Sequence, residues 1–364
     1  MRKQFYKILT NTLSRVVGTP PYIILFTSNK CATKCRHCWY NEDWKEDNLS
    51  SNHLTFDELE KISKSMKRID FLSLTGGESF LRDDIAEITH LFAKNTKLKR
   101  YDIPTAGFDS ELICRKAIKM LEINKDIPLR IDISIDGLED THDYIRQTKN
   151  SFKNATETIN ALKNVKEKHN NLDVSIITTL SKFNQNEIGQ LAKYVEQILP
   201  EGEWMVNIVR PPTRDPEATN FDLSVYKYAD ELISDRIKRK KFSGDRGHAL
   251  GSLLTAKNVL RREIIYDILQ SKRKGGGCSA GSLAGVIFND GEVRPCESLP
   301  LSFGNIRDFD YNLPELWNSP GARKIRNHIQ DTNCLCTHEC FLSTSILIQP
   351  SLLVRLLKKR IFEM

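Results

Sequence analysis

The sequence predicts an α/β fold, a partial (β/α)6 TIM-like barrel followed by a small cysteine-rich domain. Two observations favour this fold. Short apolar runs alternate with helix-like stretches about six times over residues 21–225, as in parallel strand–helix–strand units. Eight of the nine cysteines fall into two groups, one towards each end of the chain. Six units are enough for an open barrel but fall short of the eight that close one.

The predicted elements of the barrel follow one another in order. A helix begins after Thr55, where Glu58 completes a capping-box pattern. Strand-like runs lie near residues 22–27, 70–74, 99–104, 129–135, 172–179 and 203–209, with helix-like stretches near 84–95, 109–122, 151–168 and 185–199. In such barrels the loops after the carboxyl ends of the strands carry the chemistry. We therefore expect the loops after the first, second and fourth strands to meet at one mouth.

The rest of the chain predicts four further segments around the barrel at 21–225. Residues 226–274 predict a charged helical bridge, and the three glycines at 275–277 mark the start of a cysteine-rich domain at 275–343. Within that domain, the run 286–293 predicts a hairpin that turns at Asp290-Gly291. Residues 1–20 and 344–364 each predict a basic amphipathic helix. Such helices either cover the core or lie on an anionic membrane.

The composition limits the class of protein. The chain has 54 Lys and Arg against 47 Asp and Glu, a net charge of +7. No basic block dominates its middle, so we expect no nucleic acid partner. No apolar run reaches about 18 residues, and the N-terminus lacks the apolar core of a signal peptide. We therefore expect a cytoplasmic protein, in which clustered cysteines are metal or iron–sulfur ligands rather than disulfides.

The first cysteine group places three thiolates, Cys31, Cys35 and Cys38, on one short loop after the first strand. Thiolates favour iron–sulfur clusters or zinc. A structural zinc site takes four protein ligands, and within this loop His37 is the one candidate for a fourth. A four-iron cube held by three cysteines leaves one iron open, and an open metal position is a reactive one.

The loop Cys31-Ala-Thr-Lys-Cys35-Arg-His-Cys38 resembles the cysteine motif of the radical SAM superfamily. In that superfamily an aromatic residue generally precedes the third cysteine, and His37 holds this place here. The resemblance implies that His37 packs near the adenine of S-adenosylmethionine (SAM).

Two later segments extend the resemblance. The Gly76-Gly77-Glu78 loop after the second strand resembles the family loop that binds the SAM amino group. The segment 133–146 resembles the family's fourth-strand region, which implies that Ser134 contacts the SAM ribose and that Arg146 lies near the SAM carboxylate. A local capping or ion-pair role is the alternative for Arg146 and for Asp136.

The resemblance also implies the reaction. The open iron of a [4Fe–4S] cluster would chelate the methionyl amine and carboxylate of SAM. Electron transfer would then break the sulfonium C–S bond, and the 5′-deoxyadenosyl radical would abstract hydrogen from a substrate. The electron would come from an external donor such as flavodoxin or ferredoxin.

The second cysteine group begins with Cys278 and Cys296, spaced as Cys-x12-Gly-x4-Cys around the predicted hairpin. This element resembles the SPASM and Twitch auxiliary-cluster extensions of radical SAM enzymes. Five cysteines stand here rather than the seven of a full SPASM pattern, which implies one auxiliary [4Fe–4S] cluster. The expected ligands are Cys278, Cys296 and Cys340, with either Cys334 or Cys336 as the fourth. A zinc ribbon is the alternative.

The sequence therefore predicts a radical SAM enzyme, an oxidoreductase or a peptide or natural-product maturase. The substrate is unidentified and would be a peptide or protein side chain, or a sugar-like or other small molecule. The auxiliary cluster would either accept an electron from the substrate radical or anchor the substrate. The rival hypothesis is a non-catalytic iron–sulfur or zinc protein that binds nucleic acid or a protein partner.

Overall fold

The computed structural model describes residues 18–40, 52–239, 251–271, 278–331 and 337–362. Its centre is one sheet with the strand order β6-β5-β4-β3-β2-β1-β7-β8-β9. The first six strands are parallel and confirm the predicted runs: β1 (Tyr22–Ser28), β2 (Phe71–Gly76), β3 (Arg100–Thr105), β4 (Leu129–Ser134), β5 (Leu172–Leu180) and β6 (Glu203–Ile208). Within the described residues the sheet stays open between β6 and β9, as expected for a partial barrel.

Helices connect these strands. They are α1 (Phe56–Ser65), α2 (Ile85–Asn95), α3 (Ser110–Ile123), α4 (Glu139–Arg146), α5 (Ser151–Lys168) and α6 (Ile188–Ile198). The strands turn alternate residues towards the helices, because successive side chains of a strand point to opposite faces. Ile23, Leu25, Leu72 and Leu74 are examples, and they form one buried cluster with the apolar faces of the helices. Parallel strands covered in this way leave their other face for the interior of the barrel.

That inner face is polar along β3 to β6. The guanidinium of Arg130 lies 2.7 Å from Asp132 Oδ1 and 2.7 Å from Glu203 Oε2. Asp132 also accepts a short hydrogen bond from Ser175. Asp102 Oδ1 is buried and has no hydrogen-bond partner within the described residues. Burial and the nearby Asp132 raise the pKa of Asp102 to about 7.

The predicted capping box at the start of α1 is confirmed, and it also joins the barrel to the C-terminal region. Glu58 N–H donates to Thr55 Oγ1 over 3.2 Å, and Thr55 N–H donates to Glu58 Oε2 over 2.8 Å. The same carboxylate accepts from Arg307 Nε over 2.6 Å and from the Tyr311 hydroxyl over 3.0 Å. The Glu58 side chain therefore both caps the start of α1 and fixes the later segment against it.

The cysteine-rich region adds its strands to the barrel sheet, which the sequence did not predict. Strand β7 (Ala284–Ile287) pairs with β1 in parallel, and β8 (Glu292–Arg294) and β9 (Gly304–Asn305) follow in antiparallel order. The predicted hairpin is confirmed between β7 and β8. Its turn places Gly291 at φ +88°, a conformation that favours glycine. Helices α9 (Leu313–Trp317) and α10 (Pro320–Asp331) follow.

Four more helices surround this sheet. The predicted bridge contains α7 (Leu223–Arg239) and α8 (Gly251–Ser271), and the chain ends with α11 (Glu339–Ile348) and α12 (Pro350–Phe362). Among the described helices none is long and apolar enough to cross a membrane alone. The pair Glu339–Ile348 and Pro350–Lys359, bent by 95°, meets the criteria of length and composition for a broken span. The predicted N-terminal helix lies outside the described residues.

Candidate functional site

The first cysteine group lies on the loop that leaves the carboxyl end of β1. A hydroxyl group sits between two of its thiols. Thr33 Oγ1 is 3.2 Å from Cys35 Sγ and 3.7 Å from Cys31 Sγ. The third cysteine closes a turn, because Cys38 N–H donates to the Cys35 carbonyl over 3.2 Å. The loop therefore presents its three thiols from one compact stretch of backbone.

The Gly76-Gly77-Glu78 loop leaves the neighbouring strand and contacts the start of the cysteine loop. Gly77 N–H donates to the Ser28 carbonyl over 2.8 Å, and Glu78 N–H donates to the Lys30 carbonyl over 2.7 Å. A Cβ on Gly76 would lie 2.3 Å from the Ser28 oxygen, and one on Gly77 would lie 2.0 Å from the Lys30 oxygen. Glycine is required at both positions because the two backbones approach so closely.

Glu78 is buried at the junction of three loops. Its Oε2 accepts from Thr105 Oγ1 over 3.0 Å and from Ala106 N–H over 2.8 Å, and its Oε1 accepts from Phe80 N–H over 3.3 Å. Burial raises the pKa of Glu78 to about 7 although these hydrogen bonds lower it. A carboxylate with this pKa gains a full charge when a cationic group binds beside it.

Arg146, at the end of α4, connects the cysteine loop to the loop after β4. Its backbone carbonyl accepts from Lys34 N–H over 3.1 Å. Its guanidinium donates to Cys35 Sγ over 3.6 Å and lies 2.5 Å from Asp136 Oδ2. The alternative ion-pair role for Asp136 and Arg146 is therefore present in the structure, and the same pair reaches a cysteine thiol.

His37 lies beside this ion pair. Its Nε2 is 3.8 Å from Asp136 Oδ2. Burial lowers the pKa of His37 to about 4, so the imidazole is neutral at pH 7. Burial alone would raise the pKa of Asp136, but Arg146 and the nearby histidines bring it below its usual value.

Ser134 ends β4, and the alternation of the strand places it on the inner face. It is half-buried, and its hydroxyl has no hydrogen-bond partner within the described residues. The loops carrying the predicted SAM contacts, residues 37, 76–78, 134 and 146, therefore gather at the carboxyl end of the sheet. Three of these loops are joined by the hydrogen bonds given above.

The residues of this site fit an iron–sulfur cluster with SAM. Burial raises the pKa of Cys31 to about 11, and burial together with the charge of Cys35 raises that of Cys38 to about 12. Neighbouring buried thiolates repel one another and need a cationic centre, whose binding releases their protons. Two buried nitrogens, His37 Nδ1 and Arg146 Nε, have no hydrogen-bond partner within the described residues. Leaving buried nitrogens without a partner costs free energy, and a bound polar ligand that accepts hydrogen bonds from them would remove this cost.

Three cysteines of the second group pack against the inner side chains of β1, in the same cluster that Cys38 of the first group contacts. Cys296 is buried in a cluster with Phe26 and Phe288, and Cys278 and Cys340 lie partly buried against it. Burial and the neighbouring Cys278 raise the pKa of Cys296 to about 12. Cys334 and Cys336 lie outside the described residues.

Sequence reasoning missed Tyr22 and Glu297 near Cys340, and it expected His338 to lie at the surface or around the cluster rather than to be a ligand. The Tyr22 hydroxyl hydrogen-bonds to the Cys340 thiol, and Asp102 and Glu297 are close enough to raise the pKa of Tyr22 further above the value set by its burial. Glu297 forms a buried, short ion pair with His338. Position in the chain was the available signal, since Glu297 follows Cys296 and His338 precedes Cys340 by two residues.

The described residues contain no set of three His, Cys, Asp or Glu side chains arranged to hold a single metal ion. The profile of the Radical SAM superfamily matches residues 25–195, and that of the SPASM iron–sulfur cluster-binding domain matches residues 278–341. This chain belongs to the radical SAM superfamily. It is an enzyme whose cofactors are iron–sulfur clusters and SAM, and the rival hypothesis of a non-catalytic protein is wrong.

Two named proteins illustrate what this chain is similar to. The sporulation killing factor maturation protein SkfB of Bacillus subtilis is 27% identical over 218 residues, which cover 58% of this chain and 46% of SkfB. The AdoMet-dependent heme synthase of Methanosarcina barkeri is 24% identical over 82% of both chains. This chain thus aligns with about half of SkfB and most of the heme synthase.

The fold agrees with that of a solved radical SAM structure. Streptococcus suis SuiB bound to its precursor peptide SuiA has a TM-score of 0.59 at 15% identity, over 93% of this chain and 75% of SuiB. At this identity the likeness establishes the fold alone. The expectations of an α/β partial barrel and of a SPASM-type extension to the radical SAM domain are confirmed.

Proposed function

We propose that Cys31, Cys35 and Cys38 hold the [4Fe–4S] cluster at which this radical SAM enzyme binds SAM. The observation that supports it is the convergence of the loops after β1 and β2 with the end of α4. When bound, the cluster and SAM supply a one-electron cleavage that yields a 5′-deoxyadenosyl radical, which abstracts hydrogen from the substrate.

In this proposal the surrounding side chains bind and orient SAM. Glu78 pairs with the methionyl amine, because the positive charge of the amine favours the ionised form of a carboxyl that burial holds near pKa 7. Arg146 pairs with the methionyl carboxylate and keeps its ion pair with Asp136. His37, a neutral and buried ring, packs near the adenine, and Ser134 donates to the ribose. Gly76 and Gly77 allow the amine-binding loop to approach the cysteine loop.

The auxiliary cluster belongs to Cys278, Cys296, Cys340 and either Cys334 or Cys336. Domain boundaries at 20, 225, 274 and 343 are part of the same proposal. Tyr22 joins this second site to the inner face of the barrel, because its phenol contacts the Cys340 thiol and lies near Asp102. The auxiliary cluster thus faces the space in which a substrate would sit, whether it accepts an electron or anchors the substrate.

The substrate occupies the inner face of the barrel and is a peptide or a small molecule. The polar row of Asp102, Arg130 and Asp132 offers donors and acceptors to either class. The name of SkfB and the peptide bound to SuiB favour a peptide. The heme synthase, which aligns over most of both chains, favours a small molecule.

Two partners complete the proposal. The enzyme works in the cytoplasm, where flavodoxin or ferredoxin supplies the electron. It also contacts the membrane peripherally through a basic amphipathic helix. Clustered cysteines that serve as metal or iron–sulfur ligands rather than disulfides support an intracellular location.

The first test is anaerobic reconstitution of the full chain, followed by iron and sulfide analysis and by reduction with dithionite in the presence of SAM. We expect about eight irons per chain, four for each cluster, and release of 5′-deoxyadenosine. About four irons with 5′-deoxyadenosine would remove the auxiliary cluster from the proposal. Cluster-loaded protein that releases no 5′-deoxyadenosine would refute the assignment of the first cysteine loop. Adding candidate peptides and tetrapyrroles would then show which class increases 5′-deoxyadenosine release.

A further inference from the structure

The C-terminal helix α12 and the end of α11 expose an apolar surface. Leu347, Leu353, Val354 and Leu357 are 46%, 37%, 54% and 44% exposed. They are four of the six large apolar or aromatic side chains that are this exposed in the described part of the chain. Leu353, Val354 and Leu357 share one side of α12 by their spacing, whereas Leu347 lies on α11. We call Leu353, Val354 and Leu357 the α12 outer face. Exposed apolar residues scattered singly need no explanation, but a contiguous patch marks an interaction site.

The opposite side of α12 is fixed to the body of the protein. Leu352 and Leu356 are buried in the main core cluster. Lys359 Nζ lies 2.7 Å from Glu263 Oε1, and the Arg355 guanidinium lies 3.7 Å from Glu263 Oε2 on α8. The helix therefore presents its outer face from a firm support, as an element that docks on a partner would.

The chain bends sharply between α11 and α12, which turns the α12 outer face away from the core. Pro350 begins α12, and the two helices bend by 95° at the junction. Proline cannot continue the hydrogen bonding of the preceding helix but suits the first turn of a new one. Phe341, Leu342 and Ile346 of α11 are buried. Helix α11 therefore lies largely in the core, and α12 lies along the surface.

The charges beside the α12 outer face are positive. Lys358 is exposed on the same helix directly after Leu357, and the exposed Arg355, although it faces Glu263, adds a second cation to this surface helix. The chain as a whole carries a net charge of +7. A surface helix with an apolar face and flanking Lys and Arg is the form that binds anionic lipid. The apolar side chains enter the interface and the cations meet the headgroups.

We propose that the α12 outer face docks on the surface of an anionic lipid bilayer, with Leu353, Val354 and Leu357 inserted among the headgroups. A second copy of the chain fits less well. Even together with Leu347, these three side chains offer on the order of 300 Å², whereas a stable protein interface needs about 800 Å² from each partner. This inference rests on the membrane contact in the proposed function and names the residues that make it.

The test uses the full chain and vesicles of phosphatidylcholine with and without phosphatidylglycerol. Co-sedimentation should show binding to the anionic vesicles and weaker binding as salt rises. The double variant V354E/L357E should lose at least about tenfold in vesicle affinity, because two apolar contacts become charges that anionic lipid repels. The control Tyr228→Glu changes a side chain that is 47% exposed on α7, and it should bind as the unchanged protein does.

The outcomes distinguish two claims: that the protein binds a membrane, and that the α12 outer face makes this contact. If the unchanged protein does not bind anionic vesicles, both are refuted. If V354E/L357E binds as tightly as the unchanged protein, the contact stands and the assignment to α12 is wrong. Sedimentation that shows a dimer abolished by V354E/L357E would assign the face to a second copy instead. V354E/L357E should melt at the same temperature as Tyr228→Glu, so that a loss of vesicle binding reports on the surface and not on unfolding.

Discussion

Gly77 offers the sharpest single-residue test of how the site is built. In Gly77→Ala the new Cβ would lie 2.0 Å from the Lys30 oxygen and 2.6 Å from the Lys30 carbonyl carbon. Both are backbone atoms, so no side chain can rotate away. Real Cβ atoms essentially never approach another heavy atom within 3.0 Å. The Lys30 peptide must therefore move by about 1 Å, and the next residue is Cys31.

The cost of this movement has two parts. Overpacking a tight backbone contact costs about 1–3 kcal/mol. Displacing the Lys30 carbonyl also weakens the 2.7 Å hydrogen bond from Glu78 N–H, which contributes about 1 kcal/mol. We expect a loss of about 2–4 kcal/mol, centred on the cysteine loop rather than spread through the core. The first consequence should be poorer cluster incorporation.

Iron content after anaerobic reconstitution and the EPR signal of the reduced cluster measure this effect directly. The matched control is Gly321→Ala at the start of α10, where a Cβ would meet nothing closer than 3.8 Å. Gly321→Ala should retain full iron and should unfold at the same or a slightly higher temperature. If Gly77→Ala also keeps full iron and an unchanged EPR signal, the contact with Lys30 does not position the cysteines and the reasoning fails.

Three further substitutions test other parts of the site. Glu78→Gln should lower SAM affinity about tenfold in equilibrium dialysis. The pKa of Glu78 is raised to about 7 in the folded protein but is about 4.3 in the unfolded chain, so ionisation of this carboxyl destabilises the fold as pH rises above about 4.3. Glu78→Gln should therefore melt no lower than the unchanged protein at pH 8. A lower melting temperature at that pH would contradict this reasoning. Arg146→Lys keeps a positive charge beside Asp136 but loses the planar guanidinium that also reaches the Cys35 thiol. SAM affinity should therefore fall with little change in melting temperature. Unchanged affinity in the dialysis assay would remove Arg146 from the SAM site. Glu58→Gln should cost about 1–2 kcal/mol in urea unfolding at pH 7. The hydrogen bond from Arg307 lowers the pKa of Glu58 to about 2, so this difference should shrink as pH falls from about 4.3 towards 2; a difference that does not depend on pH would contradict it.

The local features of this fold could be predicted from the sequence because they depend on neighbours in the chain. A buried parallel strand is a continuous apolar run, as in Tyr22–Ser28, and a capping box needs only Thr55 and Glu58. The hairpin at Asp290-Gly291 needs one residue in a left-handed conformation. The convergence of the loops after β1, β2 and β4 also followed, because parallel strands end at one edge of their sheet.

The contacts that build the site depend on residues far apart in the chain, and the sequence contains no rule for them. The Gly-Gly-Glu loop suggested a ligand contact, yet its two glycines also touch the backbone at Ser28 and Lys30. Arg146 suggested SAM or a local ion pair, and the structure adds its contact with Cys35. The sequence also could not predict the pairing of β7 with β1, because a four-residue strand of a hairpin gives no sign of which strand lies on its other side.

Strand β1 connects the chemistry of the two cysteine groups. Its carboxyl end leads to Cys31, and its first residue, Tyr22, contacts Cys340. Seven residues of strand span about 20 Å, so in the proposed assignment the two clusters lie towards opposite ends of one strand. The inward side chains of that strand, Ile24 and Phe26, are buried in one apolar cluster with Phe288, Cys296 and Phe341. The same face of the sheet carries Asp102 on β3 and Arg130 and Asp132 on β4. Because the apolar cluster fills the space beside β1, a substrate in the proposed site would lie against the polar groups of β3 and β4.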